Sequence, residues 1–138
     1  MTAIRAATQA CLRRHRRSGD IHFTFVGAEE MARLNLTFRH VEGSTDVLTF
    51  PAPQFPGAPL GDIAICVPFA QSQAVMRRVA LRTELVYLAI HGVLHLCGFD
   101  DETPEERDEM MAEMATVGKE VGLPDEDEWS SIAKGCAA

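Results

Sequence analysis

The chain has 138 residues, 46% of them hydrophobic, which suits one domain with a core of its own and leaves too little length for a second. Its net charge of −7 is unevenly placed: residues 1–99 hold ten arginines against seven acidic side chains, whereas residues 100–138 hold three basic and thirteen acidic ones, which does not forbid an anionic partner but requires any such partner to meet the first part. There is no run of eighteen apolar residues, and MTAIRAATQACLRRHRR lacks the apolar block of a signal peptide, so a cytoplasmic location and no membrane partner are expected.

Residues 3–18 read as a helix, with Ile4, Ala7, Cys11 and Leu12 on one side and Arg13, Arg14, His15, Arg16 and Arg17 toward its end, where cations suit the helix dipole. IHFTFV, residues 21–26, alternates and is rich in β-formers, the pattern of a strand. A short helix is expected over residues 28–38 from Met31, Leu34 and Phe38, and STDVLTFP then forms a strand that Pro51 stops. PAPQFPGAPLG holds four prolines and two glycines in eleven residues and reads as a surface loop.

Asp62 to Val67 is a short apolar strand, and residues 68–79 resume helical spacing through Ala70, Ala74, Val75 and Val79. From Leu81 to Cys97 apolar residues occur nearly all round, which marks a helix buried on most sides. Thr103, Pro104 and Glu106 spell a capping box with proline at the first helical position; the helix they open runs to about Val121, with Met110, Met111, Met114 and Val117 as a core stripe. Cys11, Cys66, Cys97 and Cys136 are scattered without a CxxC pair and read as small buried hydrophobes. The expected fold is a single α+β domain over residues 1–123, with a small mixed sheet of three or four strands and four or five helices, followed by a flexible acidic tail over residues 124–138.

Within the buried helix, HGVLHLCGFDD sets His91 and His95 four residues apart, about 40° from each other on one face, so both imidazoles can address one point. Gly98 can end the helix and turn the chain back, bringing a carboxylate to the same point as a third ligand. Two nitrogens and one oxygen leave a coordination position open, as a catalytic metal site requires. Spacing favours Asp101 as the oxygen ligand, with Asp100 competing for that role or orienting the turn. The HxxxHxxGxxD pattern is similar to the zinc segment of metzincin proteases. Gly92 stands where those proteases need a glutamate base, so peptidase chemistry is not expected.

The same eleven residues resemble the signature of the YbeY-type endoribonucleases, HGxLHLxGxDH, and depart from it only at Asp101, where that family usually has histidine. Upstream, RHVEGSTDVLTFP resembles the family's arginine followed by a TDVLSFP strand, and LGDIAIC resembles its GDI strand, in the same order and with similar gaps. The resemblance covers most of residues 32–118. It implies a metal-dependent endoribonuclease of single-stranded RNA in ribosomal RNA maturation and ribosome quality control. Its implied partners are ribosomal RNA and the small ribosomal subunit, with ribosomal proteins or an assembly GTPase beside them.

On that resemblance His91, His95 and Asp101 hold one divalent ion, zinc first, with manganese or magnesium as alternatives because carboxylate oxygen also suits harder ions. Arg39 is implied to lie near the metal as a catalytic residue, its guanidinium holding a phosphate through two parallel hydrogen bonds. The alternative is a catalytically weak ribosome-assembly or RNA-binding factor with a structural metal, which the departure at Asp101 and the missing glutamate both fit. Ser44, Thr45, Asp46 and Asp62 read as turn and cap residues, His40 as an exposed loop histidine, and Cys97, roughly 200° round the helix from His95, as core. Arg13, Arg14, Arg16, Arg17, Arg77, Arg78 and Arg82 are candidate phosphate contacts, a pattern that a solvated helix surface explains equally well, and an aromatic content of 7% argues against extensive base stacking.

Overall fold

Eight elements follow one another through residues 2–123, the part of the chain that the computed structural model describes: α1 Thr2–Arg14, β1 Ile21–Val26, α2 Ala28–Arg39, β2 Val47–Pro51, β3 Gly61–Cys66, α3 Val67–Arg77, α4 Leu81–Leu96 and α5 Pro104–Glu120. The strands pair in the order β1-β3-β2, with β1 parallel and β2 antiparallel to β3. Only GDIAIC has the composition for the middle place. Asp62 is its one exposed residue, and a strand covered on both faces needs a near-continuous apolar run.

The two faces of β3 are covered by different helices. Ile63 and Ile65 join Val47 of β2 and residues of α4, α1 and α5 in the larger core, whereas Ala64 and Cys66 join Leu48 and Met31 of α2 in a smaller one. Twelve of the sixteen residues of α4 are buried, and the helix packs against α1, α3, α5 and both β2 and β3. The all-round apolarity of its sequence thus reports a central helix. Its acid, Glu84, is buried and lies 3.6 Å from Arg77 Nη1 at the end of α3, so the charge is met by an opposite one.

Local chemistry fixes the joins that position the centre. Asp46 Oδ1 accepts the Val47 N–H at 2.8 Å and its Oδ2 accepts Gln73 Nε2 at 3.1 Å, which ties the start of β2 to α3 and gives Asp46 the structural role expected of it. Strand β3 passes into α3 without an intervening residue. The helix expected over residues 3–18 stops instead at Arg14, because Arg16 turns left-handed at φ 53° and the Arg17 N–H closes onto Leu12 O at 2.9 Å.

An α+β domain with five helices and a three-stranded mixed sheet agrees with the expected class, at the upper end for helices and the lower end for strands among the described residues. The tail expected over residues 124–138 lies outside the described residues. No single helix among them is long and apolar enough to cross a membrane.

Candidate metal centre

Helix α4 ends as the glycine spacing predicts. Gly98 adopts φ 103°, its N–H donates to His95 O at 3.0 Å, and the Phe99 N–H reaches Leu94 O at 3.0 Å, the paired bonds of a glycine-closed helix end. The turn sends the chain back beside the last turns of α4 and delivers Asp101, not the exposed Asp100, to the two histidines.

The imidazoles of His91 and His95 face each other nearly edge to plane, with ring centres 4.5 Å apart and an interplanar angle of 83°. Their Nε2 atoms are 3.1 Å apart, and Asp101 Oδ2 lies 3.6 Å from each. A point equidistant from these three atoms is about 2.0 Å from every one of them, the length of a zinc bond to imidazole nitrogen or carboxylate oxygen. Asp101 Oδ2 is buried and accepts no hydrogen bond, a cost that a cation between the three donors removes. The residues present therefore fit a divalent ion.

Burial is graded across the group. The side chains of His91 and Asp101 are 0% and 1% exposed and that of His95 is 9%, so His95 is the member of the group nearest solvent. Burial, reinforced by the neighbouring His95 and opposed by Asp101, pushes His91 down to about 3, which keeps its imidazole neutral and its lone pair available. Burial alone would raise the Asp101 carboxyl, but His95, His91 and Arg107 beside it bring it below the ordinary carboxylate value.

The first turn of α5 grips the chain next to Asp101. Thr103 Oγ1 accepts the Glu106 N–H at 3.1 Å and Glu106 Oε1 accepts the Thr103 N–H at 3.0 Å, the capping box that the sequence spells. Arg107 Nη1 also donates to the carbonyls of Asp101 and Glu102, at 3.2 and 3.1 Å. No motif marks Arg107 in the sequence, where its signal is only a basic residue one turn into an acidic helix. His15 is likewise unmarked by any sequence partner, yet its ring stands edge-on to Phe99 with centres 5.0 Å apart while its Nε2 lies 2.9 Å from Glu113 Oε1.

The other expected residues fall outside this group. Arg39 is the exposed last residue of α2, and His40 beyond it is the exposed left-handed cap. Arg13 and Arg14, two of the candidate phosphate contacts, pair with Glu120 at 3.0 Å and Glu113 at 2.6 Å, which links α1 to α5. Cys97 is half-buried against the core, and Cys11, Cys66 and Cys97 are free thiols.

A family model described as "Endoribonuclease YbeY" matches residues 2–122. An endoribonuclease YbeY of Pseudomonas putida is 36% identical over 137 residues, covering 94% of this chain and 87% of its own. Those of Chromobacterium violaceum and Brevibacillus brevis are 36% and 38% identical, covering 88% and 76% of this chain and 75% and 76% of their own. The solution structure of a Thermotoga maritima protein, 22% identical, superposes with a TM-score of 0.59 over 91% of this chain and 89% of its own, which shows a shared fold.

Proposed function

The chain belongs to the endoribonuclease YbeY family, and on that premise we propose that it cleaves RNA phosphodiester bonds at a divalent-ion centre made by His91, His95 and Asp101. The observation that carries this reading is the meeting of three donor atoms, 3.1, 3.6 and 3.6 Å apart, at a place where the carboxylate oxygen has no hydrogen bond. The endoribonuclease names of the relatives support RNA as the substrate. Ribosomal RNA and the small ribosomal subunit, in the cytoplasm, are the partners that the motif resemblance favours.

The donor types support zinc, which imidazole nitrogen and carboxylate oxygen both ligate readily. Bound there, such an ion supplies Lewis acidity toward water and toward a phosphoryl oxygen.

The chain's own groups do the rest. His91, held neutral by burial, and Asp101, held ionised, together contribute a single negative charge, so a dication stays half compensated and attractive to a phosphodiester. His95 stands on the open side, and substrate approaches past it. Gly92 offers no carboxylate beside His91 to carry a proton, so electrostatic stabilisation has the larger share. Arg39 is the proposed electrostatic partner: an exposed guanidinium is suited to two parallel bonds to one phosphate.

The test is cleavage of single-stranded and ribosomal RNA by the purified, zinc-loaded chain beside His95→Ala and Arg39→Ala. Cleavage is expected to vanish in the first and to fall about 10²–10³-fold in the second, the usual effect of removing a donor from developing oxyanion charge. Cleavage that survives His95→Ala marks a contaminating nuclease and overturns the reading. Wild-type protein that binds zinc and RNA without cutting would instead establish the catalytically weak assembly factor.

A further inference from the structure

Asp101 is the member of the centre that does not stand on α4. The imidazoles are fixed by a buried helix whose main chain is bonded throughout, but residues 99–101 belong to neither helix nor strand. The glycine turn holds Phe99 through its N–H to Leu94 O at 3.0 Å, and the chain beyond it needs further support. Two consecutive side chains on the first turn of α5 supply it. Glu106 Oε1 accepts the N–H groups of Glu102 and Thr103 at 3.2 and 3.0 Å, and Arg107 Nη1 donates to the carbonyls of Asp101 and Glu102 at 3.2 and 3.1 Å. The peptide that follows Asp101 is thus held by a carboxylate through its N–H and by a guanidinium through its C=O.

The part played by Glu106 follows from helix capping, which satisfies orphan N–H groups at any helix start. The part played by Arg107 does not, because a capping box needs no donor to the carbonyls that precede it. One of those carbonyls is that of Asp101 itself and the other belongs to the residue after it, so the guanidinium bears on the main chain that carries the ligand. Moreover, Asp101 Oδ2 is an ionised oxygen buried without a hydrogen bond, and a nearby guanidinium lowers the cost of keeping it there.

We infer that Arg107 is a positioning residue of the metal centre: by holding the carbonyls of Asp101 and Glu102 it keeps the Asp101 carboxylate in register with the two Nε2 atoms. The inference rests on the proposed metal reading and goes beyond it, since Arg107 touches neither ion nor substrate. Groups that orient ligands in this way typically cost 10–100-fold in metal affinity when removed.

Zinc affinity of the chelator-stripped full chain, read by competition with a chromophoric chelator, tests it on wild type, Arg107→Ala, Arg107→Lys and Asp101→Ala, with the apo melting temperature of each. Arg107→Ala is expected to bind zinc about 10–100-fold more weakly with its apo melting temperature little changed, and Arg107→Lys, which keeps a charged donor without the planar fork, to fall between it and wild type. Affinity within twofold of wild type in Arg107→Ala overturns the inference. So does a loss shared by both arginine variants together with a fall of more than about 4 °C in apo melting temperature, because the arginine then supports the fold at large. A wild-type chain that takes up no zinc, or takes it up equally as Asp101→Ala, overturns the metal reading itself and this inference with it.

Discussion

Gly92 of α4 stands so close to Ile63 of β3 that a β-carbon on the glycine would lie 2.9 Å from Ile63 Cδ1 and 3.1 Å from its Cγ2, with Thr49 Cγ2 of β2 at 3.2 Å. Position 92 is where helix and sheet approach, immediately after His91. The missing glutamate therefore has a packing cause as well as a chemical consequence. A carboxylate side chain there would have to displace the sheet, so the fold that buries His91 also denies the centre a base at this position.

Gly92→Ala should lower stability by about 1 kcal/mol. Alanine gains up to about 1 kcal/mol over glycine in a helix, but overpacking costs roughly 1–3 kcal/mol, and both neighbours are β-branched, so their γ atoms yield only by leaving a preferred rotamer. Chemical denaturation checks the sign. Adding Ile63→Val, which removes the Cδ1 atom, should recover part of the loss; a Gly92→Ala protein more stable than wild type would show that the sheet gives way easily.

Gly98→Ala should cost about 1–2 kcal/mol for a different reason. Nothing lies within 4 Å of the added β-carbon, so space is not at issue; the cost comes from φ 103°, which L side chains rarely adopt. Because the same turn delivers Asp101, zinc affinity should fall with stability. Equal zinc affinity in Gly98→Ala and wild type would mean that the turn and the ligand are independent.

Glu113 should make the acid limb of the stability curve steeper. The Arg14 guanidinium, bonded to it at 2.6 Å, holds its carboxyl below the ordinary 4.5 against the opposing effect of burial, and His15 adds in the same direction. The folded protein therefore binds fewer protons than the unfolded chain in this range. The stabilisation is present above about pH 4.5 and lost as pH falls through the lower folded value. Melting temperatures of wild type and Glu113→Gln should differ at pH 7 and converge in acid, and less so at high salt. Parallel curves would remove Glu113 from the acid response.

The legible parts of the centre are the local ones. His91 and His95 reveal themselves by spacing on one helix, Gly98 by its place after the last apolar turn, and Thr103 with Glu106 by the capping pattern; each relation spans a few residues. The reach of Glu113 to Arg14 across 99 residues carries no periodic signal, because it depends on how α5 lies against α1; the grip of Arg107 on Asp101 spans only six residues but follows no pattern of the capping-box kind. The end of α1 escapes for a related reason. Its left-handed residue is Arg16 rather than glycine, and the same arginine cluster that reads as free positive charge is partly taken up by Glu113 and Glu120.

Asp101→His should keep a metal centre and narrow its choice of ion. Imidazole and carboxylate are both competent zinc ligands, so zinc binding is expected to persist in the variant. The harder ions differ: manganese and magnesium favour oxygen donors, and Asp101 Oδ2 is the only oxygen in the donor set. Replacing it also removes the single negative charge of the set, which weakens attraction for any dication but hurts least the one that imidazole holds best. Metal content after loading with an equimolar mixture of zinc and manganese, read by elemental analysis, should therefore shift toward zinc in Asp101→His. The same zinc-to-manganese ratio in both proteins would show that Asp101 does not set the selectivity, and would leave the exposed Asp100 to be tested as an alternative oxygen donor.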